Sequence, residues 1–174
     1  MNYVANISPK VLGQLAPDTA VDLFRELLWA EASRAGVGPA LVSVPGAINV
    51  ADGGVDAEIK GVLPEMPGGL LYPGLTRYQI KTGAFSAGNE SEMKALFLKE
   101  KSDELKERVR SCFEKKGTFV IVLFGSDTPD KTDDELAHAC QQFLARIEPT
   151  FKKCPIRLLY AARATAHQYS ERVL

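Results

Sequence analysis

Two short stretches hold the residues best able to do chemistry: Asp52-Gly53-Gly54-Val55-Asp56-Ala57-Glu58-Ile59-Lys60 and Tyr78-Gln79-Ile80-Lys81-Thr82. Side chains alternate between the faces of a strand. Asp56, Glu58 and Lys60 therefore share one face and Val55, Ala57 and Ile59 the other, while Gln79 and Lys81 oppose Tyr78, Ile80 and Thr82. If the two strands pair, directly opposed Cβ atoms stand roughly 4.5–5.5 Å apart, and a carboxylate, a carboxamide and an ammonium converge. That set suits a Mg²⁺ ion aimed at a phosphodiester, with Mn²⁺ as a substitute. Mg²⁺ takes hard oxygens, usually one or two carboxylates completed by water and substrate phosphate. Asp56 offers the carboxylate, Gln79 a neutral side-chain oxygen and the Ile80 carbonyl a third protein oxygen. Lys81 can hold the attacking water or offset charge that develops on the phosphoryl group. Such a metal activates water and stabilises the leaving oxygen. Gly53-Gly54 permits a bend that aims Asp56 at the cleft.

The elements that must position these residues follow from periodicity and punctuation. Ser8-Pro9 opens a short helix through about Leu15, and Pro17-Asp18 begins a long one. In the long helix Val21, Phe24, Leu28 and Ala32 recur at helical spacing, Leu27 widens the stripe, and Gly36 with Gly38-Pro39 ends it. Three strands are expected next: Ala40–Val44, then Ile48–Val50 resuming as Val55–Val62, then Arg77–Thr82. The Gly- and Pro-rich run over 61–75 reads as a loop or irregular hairpin. A charged helical tract spans about Ser91 to Lys116, as one helix or two broken near Ser102. Thr118–Phe124 is a continuous apolar run, as in a strand buried on both faces. Asp133–Ile147 is an amphipathic helix stopped by Pro149, Pro155–Ala162 a further apolar strand, and Thr165–Leu174 the start of a final helix. The order α, β-meander, α, β, α, β, α implies helices around a mixed sheet, antiparallel strands first and crossover-connected strands later.

Composition narrows the class. The 174 residues match one ordinary domain of roughly 100–200 residues, with 45% hydrophobic and 25% charged residues. Residues 1–174 are read as a single domain, the N-terminal part of a longer protein because the last helix meets no stop signal. No stretch approaches the ~20 apolar residues of a membrane span, and the start lacks the pattern of a signal peptide. Cys112, Cys140 and Cys154 have no CxxC spacing, so neither a disulfide framework nor a zinc knuckle fits. A reducing cytoplasm is the expected compartment. A formal net charge of −1 gives no bulk attraction to polyanions, so any nucleic-acid contact must come from a local patch. Lys94 and Lys99 are the candidates for DNA-backbone contact. Neither a GxxxxGK[ST] loop nor GxSxG occurs, and His138 and His167 read as ordinary helix residues.

At these residues the chain resembles the PD-(D/E)XK nuclease superfamily, in particular its Mrr-like restriction branch. That signature is an acidic helix residue, a D-G-G-x-D segment and a Q-x-K strand, here Glu26 in FRELL, Asp52-Gly53-Gly54-Val55-Asp56 and Gln79-Ile80-Lys81. The resemblance implies a restriction-endonuclease-like α-β-β-β-α-β core from about Asp18 to Phe124, with a C-terminal α-β-α extension. It implies that Asp56 binds metal, that Gln79 fills the variable D/E/Q position and that Lys81 is catalytic. Glu26 would help bind metal or orient water, with Glu31 as a substitute. Gln79 stands where Asp or Glu is commoner, which removes one negative charge, and no proline precedes Asp56. The implied activity is Mg²⁺-dependent cleavage of double-stranded DNA by self-associating subunits. Similar modules serve as N-terminal effectors of bacterial anti-phage defence proteins, fused to an NTPase or sensor domain.

Other readings of the same residues stay open. Asp56, Gln79 and Lys81 can be a solvated polar face with a cross-strand Asp–Lys pair worth ~0–1 kcal/mol. Asp52-Gly53-Gly54 can be a plain hairpin turn, and Glu58 is expected at the surface. A non-catalytic nucleic-acid-binding or oligomerisation module on the same fold is the alternative function.

Overall fold

Proline at the first helical position, Asp18 in the first turn and Arg34 in the last favour helix α2, Pro17–Arg34, which follows the short α1, Pro9–Leu12. Its buried stripe is Ala20, Val21, Phe24, Leu27, Leu28, Glu31 and Ala32. The helix ends where Gly36 adopts φ +69°. There Gly36 N–H donates to the Ser33 carbonyl and Val37 N–H to the Ala32 carbonyl, a Schellman motif that glycine makes inexpensive. The computed structural model describes residues 9–44, 55–61, 69–86, 88–125 and 132–161.

Among the described residues five strands form one sheet in the order β1-β2-β3-β4-β5: Val42–Ser43, Ala57–Ile59, Thr76–Lys81, Thr118–Leu123 and Ile156–Tyr160. β1, β2 and β3 pair antiparallel, whereas β3–β4 and β4–β5 pair parallel. Parallel neighbours need crossovers. These are helices α3, Glu90–Phe97, with α4, Glu107–Glu114, in the first case and α5, Asp133–Ile147, in the second. α2 packs on one face of the sheet, against Ala57, Ile59, Tyr78, Ile80, Val120, Val122 and Leu159. The helices α3, α4 and α5 pack on the other, against Phe119, Ile121, Leu123, Ile156, Leu158 and Tyr160. β4 has helices on both sides, which is why all its residues are buried and its sequence is a continuous apolar run. The chain is thus mixed α/β, with a five-stranded mixed sheet flanked by helices.

The charged tract between β3 and β4 is two helices. Leu98 and Leu105 form an isolated bridge between them, and Ser102 lies in the intervening turn with Lys101 at φ +56°. α5 begins with a capping box in which Thr132 Oγ1 accepts from Glu135 N–H and the Glu135 carboxylate from Thr132 N–H.

The first strands are shorter than the sequence predicts. Pro39 fixes its own φ and starts a 3₁₀ turn over Pro39–Leu41, leaving only Val42–Ser43 in β1. β2 stops before Gly61, which sits at φ +144°. Val55 precedes β2 and packs in the α3–α5 core, not with Ala57 and Ile59. The expected Ser8 cap, Ile48–Val50, Asp52-Gly53-Gly54 and the helix over Thr165–Leu174 with His167 lie outside the described residues. Among the described residues no helix is long and apolar enough to cross a membrane.

Glu58, expected at the surface, is only 3% exposed. Its register partner on β3 is Arg77, whose Nε donates to Glu58 Oε2, while Arg108 Nη2 reaches the same oxygen from α4 at 3.3 Å. Lys60 Nζ lies 3.3 Å from Oε1, and Arg77 Nη1 also donates to the Arg108 carbonyl. Burial alone raises the Glu58 pKa, but Arg77, Lys60 and Arg108 outweigh it and hold the carboxyl below its ordinary value. Removing one partner of such a buried group strands the others. Glu58→Gln should therefore lose about 3–5 kcal/mol in urea denaturation at neutral pH. A depressed carboxyl stabilises the fold above its ordinary pKa and loses that contribution as pH falls through the folded value. The gap between wild type and Glu58→Gln should narrow in acid.

Candidate active site

The candidate site forms where β2 leaves β3. Asp56 sits one residue before β2, and its N–H donates to the Tyr78 carbonyl at 2.8 Å. Its carboxylate then turns along the edge of β3. Asp56 Oδ2 accepts from Ile80 N–H at 2.6 Å and from Gln79 Nε2 at 2.7 Å. A side-chain oxygen thereby takes the place of a strand carbonyl at the first β3 amide beyond the last paired residues, Ala57 and Tyr78. The N–H and C=O of one strand residue leave along the same edge, so the Ile80 carbonyl lies on the Asp56 side. The next carbonyl, of Lys81, accepts from Phe124 N–H on the β4 side at 2.8 Å.

Gln79 donates its amide hydrogen to Asp56, and its Oε1 is buried with no hydrogen-bond partner. Buried acceptors are normally satisfied, and this one lies beside a carboxylate. Reversing the amide would set Oε1 against Asp56 Oδ2, which two oxygens tolerate only with a cation or proton between them. An orphaned neutral oxygen, a carboxylate and a backbone carbonyl are the hard donors that Mg²⁺ takes, so the residues present fit that ion.

Lys81 ends β3 and is half-buried on the α3–α5 side. Burial pulls its ammonium below the ordinary lysine value, with Asp56 and Glu92 acting in the opposite direction. The backbone behind Lys81 is tightly backed. A Cβ at Gly125 would stand 2.5 Å from the Thr82 carbonyl oxygen and 2.8 Å from the Gly83 carbonyl carbon.

The structure therefore brings together Asp56, Gln79, Ile80 and Lys81. It does not join Glu26 to them: Glu26 is exposed on α2, which packs on the sheet face opposite Gln79 and Lys81. Glu31, its possible substitute, is buried and held by Arg34, at 3.2 Å from Nε and 2.9 Å from Nη2. Lys94, on α3, and Lys99, in the turn after it, are exposed and paired with Glu90 at 3.3 Å and Glu104 at 2.6 Å. Exposed pairs of this type are weak. The three cysteines are buried, with thiols pushed up by burial to about 12 for Cys112 and Cys140 and about 11 for Cys154, which leaves no thiolate nucleophile. Among the described residues no three His, Cys, Asp or Glu side chains cluster as a metal site.

One residue of the site escapes sequence reasoning. Glu92 stands at the third position of α3, three residues after its cap Asn89, a spacing that marks a helix start. Nothing in that pattern says that Ser86 N–H, in the loop after β3, holds its carboxylate or that its charge acts on Lys81.

Comparison with protein-family models, curated proteins and solved structures returns no match for this chain.

Two measurements check the local geometry. Asp56→Ala leaves Ile80 N–H and the Gln79 amide without their acceptor and should cost about 1–3 kcal/mol; Asp56→Asn, which keeps an acceptor oxygen, should cost less. Gly125→Ala should lower stability by about 1–3 kcal/mol in the same denaturation assay, because the backbone it meets cannot turn aside like a flexible side chain.

Proposed function

We propose that this chain is a metal-dependent endonuclease domain that hydrolyses phosphodiester bonds of double-stranded DNA. The observation that carries this reading is the contact between Asp56 and Gln79 at the end of the β2–β3 pairing, with the Ile80 carbonyl on that edge and Lys81 next along β3. Asp56, Gln79 and the Ile80 carbonyl would hold the ion. When bound, Mg²⁺ or Mn²⁺ supplies Lewis-acid polarisation of the phosphoryl group and a more acidic water.

The chain's own residues do the rest. Gln79 would offer Oε1 to the ion, and the Ile80 N–H keeps Asp56 aimed. Lys81 presents its ammonium to the phosphoryl oxygen on which charge develops. Lys94 and Lys99 take backbone phosphates, and Glu26, which the resemblance would place with them, is left out of this set because α2 packs on the other face of the sheet. The antiparallel strands followed by helical crossovers, with Asp56 beside β2 and Lys81 on β3, support a restriction-endonuclease-like arrangement. Among the described residues each copy has one such set, so cutting both DNA strands calls for self-association. In the setting that the resemblance implies, the domain is an effector of anti-phage defence driven by a fused NTPase or sensor.

A second reading is favoured by one observation. Asp56 Oδ2 already accepts two hydrogen bonds, which a purely structural lock would also explain. The fold would then serve as a non-catalytic nucleic-acid-binding or oligomerisation module.

Supercoiled plasmid incubated with Mg²⁺, Mn²⁺ or EDTA separates the two. The nuclease reading expects metal-dependent nicking or linearisation by wild type, abolished in Asp56→Asn and Lys81→Ala, with both variants folded by circular dichroism. Cutting by Lys81→Ala at the wild-type rate would contradict the assignment, and retarded but uncut DNA would favour the binding module.

A further inference from the structure

We propose that Lys60, just past the end of β2, and Arg108, on α4, form a site for a backbone phosphate of duplex DNA beside the candidate active site. The choice of DNA rests on the function proposed above; the geometry of the cluster does not. Asp56 is bonded to Gln79, and two residues further along the chain Glu58 is bonded to Arg77. Gln79 and Arg77 lie on one face of β3, two residues and therefore about 7 Å apart. The cluster round Glu58 is thus the neighbour of the Asp56 junction on the same face of the sheet.

Among the described residues three cations meet the single Glu58 carboxylate, so the cluster carries surplus positive charge in a chain of formal net charge −1. The three differ in what they can still offer. Arg77 is closed in, with Nε on Glu58 and Nη1 on the Arg108 carbonyl. Lys60 and Arg108 stand at the rim, their side chains 65% and 30% exposed. Lys60 Nζ lies 3.3 Å from Oε1 and Arg108 Nη2 3.3 Å from Oε2, longer than the ~2.7–2.9 Å of a close charge-assisted bond. An ammonium has three N–H donors, and Oε1 occupies one of those on Lys60. The main chain of Lys60 is fixed as well, its N–H donating to the Leu41 carbonyl at 2.8 Å. Glu58 thus holds two partly exposed cations on the two oxygens of one carboxylate, and a phosphate between them supplies the negative charge that the cluster lacks.

The test measures binding of a DNA duplex by fluorescence anisotropy in EDTA over a range of salt concentrations, with plasmid cleavage in Mn²⁺ run in parallel. Lys60→Gln should weaken binding about five- to tenfold at 0.1 M salt and lower the slope of log Kd against log salt concentration by about 0.9, the share of one phosphate. Lys60→Arg should keep both. Lys10→Gln, on α1 where Leu12 packs on the other face of the sheet, should change neither. Arg108→Gln should behave as Lys60→Gln does; because Arg108 also ties Glu58 to α4, the exposed Lys60 carries the decision if that variant does not fold. Wild-type affinity and slope in a folded Lys60→Gln, or no duplex binding by wild type, would overturn the proposal. The nuclease reading fails separately: wild type that binds DNA through Lys60 yet leaves plasmid uncut would overturn the nuclease and uphold the phosphate site.

Discussion

A carboxylate standing in for a strand carbonyl organises the functional end of this molecule. By accepting from the Ile80 amide, Asp56 lets β2 part from β3 without leaving an edge amide unpaired. The parting is what frees that edge of β3 for side chains. A continued backbone ladder would have filled that edge with main-chain bonds and left no side chain there to do chemistry. The same oxygen takes the Gln79 amide, so the carboxylate is aimed and next to an orphaned acceptor at once. A structural necessity of the sheet and a chemical capability of the site thus share one residue.

The two faces of the sheet are used differently. The α2 face is almost purely apolar where it meets Tyr78, Ile80, Val120 and Val122. The opposite face carries Arg77, Gln79 and Lys81 in alternation along β3. Near the start of that strand the polar row is closed over by Glu58, Arg77 and Arg108, which tie β2 and β3 to α4. Towards its end the row opens at Gln79 and Lys81. Covered charges at one end give a firm base, and half-buried ones at the other remain within reach of a ligand.

Much of this is legible in the chain because its signals are local. The apolar run of β4, the α5 boundaries and the stop of α2 at Gly36 each rest on a few adjacent residues, and the Asp56–Gln79 approach follows from strand alternation plus pairing. What escapes depends on partners distant in sequence. Glu58 lies between Asp56 and Lys60 in an alternating pattern and reads as solvated; it is buried by Arg77 on the neighbouring strand and by Arg108, fifty residues on. Glu92 reads as a helix-start residue, and nothing in its spacing shows that its carboxylate accepts from Ser86 N–H in the loop after β3. Glu26 and Glu31 illustrate the converse, since neither spacing nor acidity on α2 tells which way that helix turns its carboxylates. Val55 fails the alternation because the strand begins after it.

The most direct test of the central claim is a calorimetric Mn²⁺ titration of wild type, Asp56→Asn and Gln79→Ala. A cation site at the β2–β3 junction predicts saturable binding to wild type, loss in Asp56→Asn and weakening in Gln79→Ala, whose orphaned oxygen is then gone. Binding that is the same in all three proteins, or absent from wild type, would contradict it.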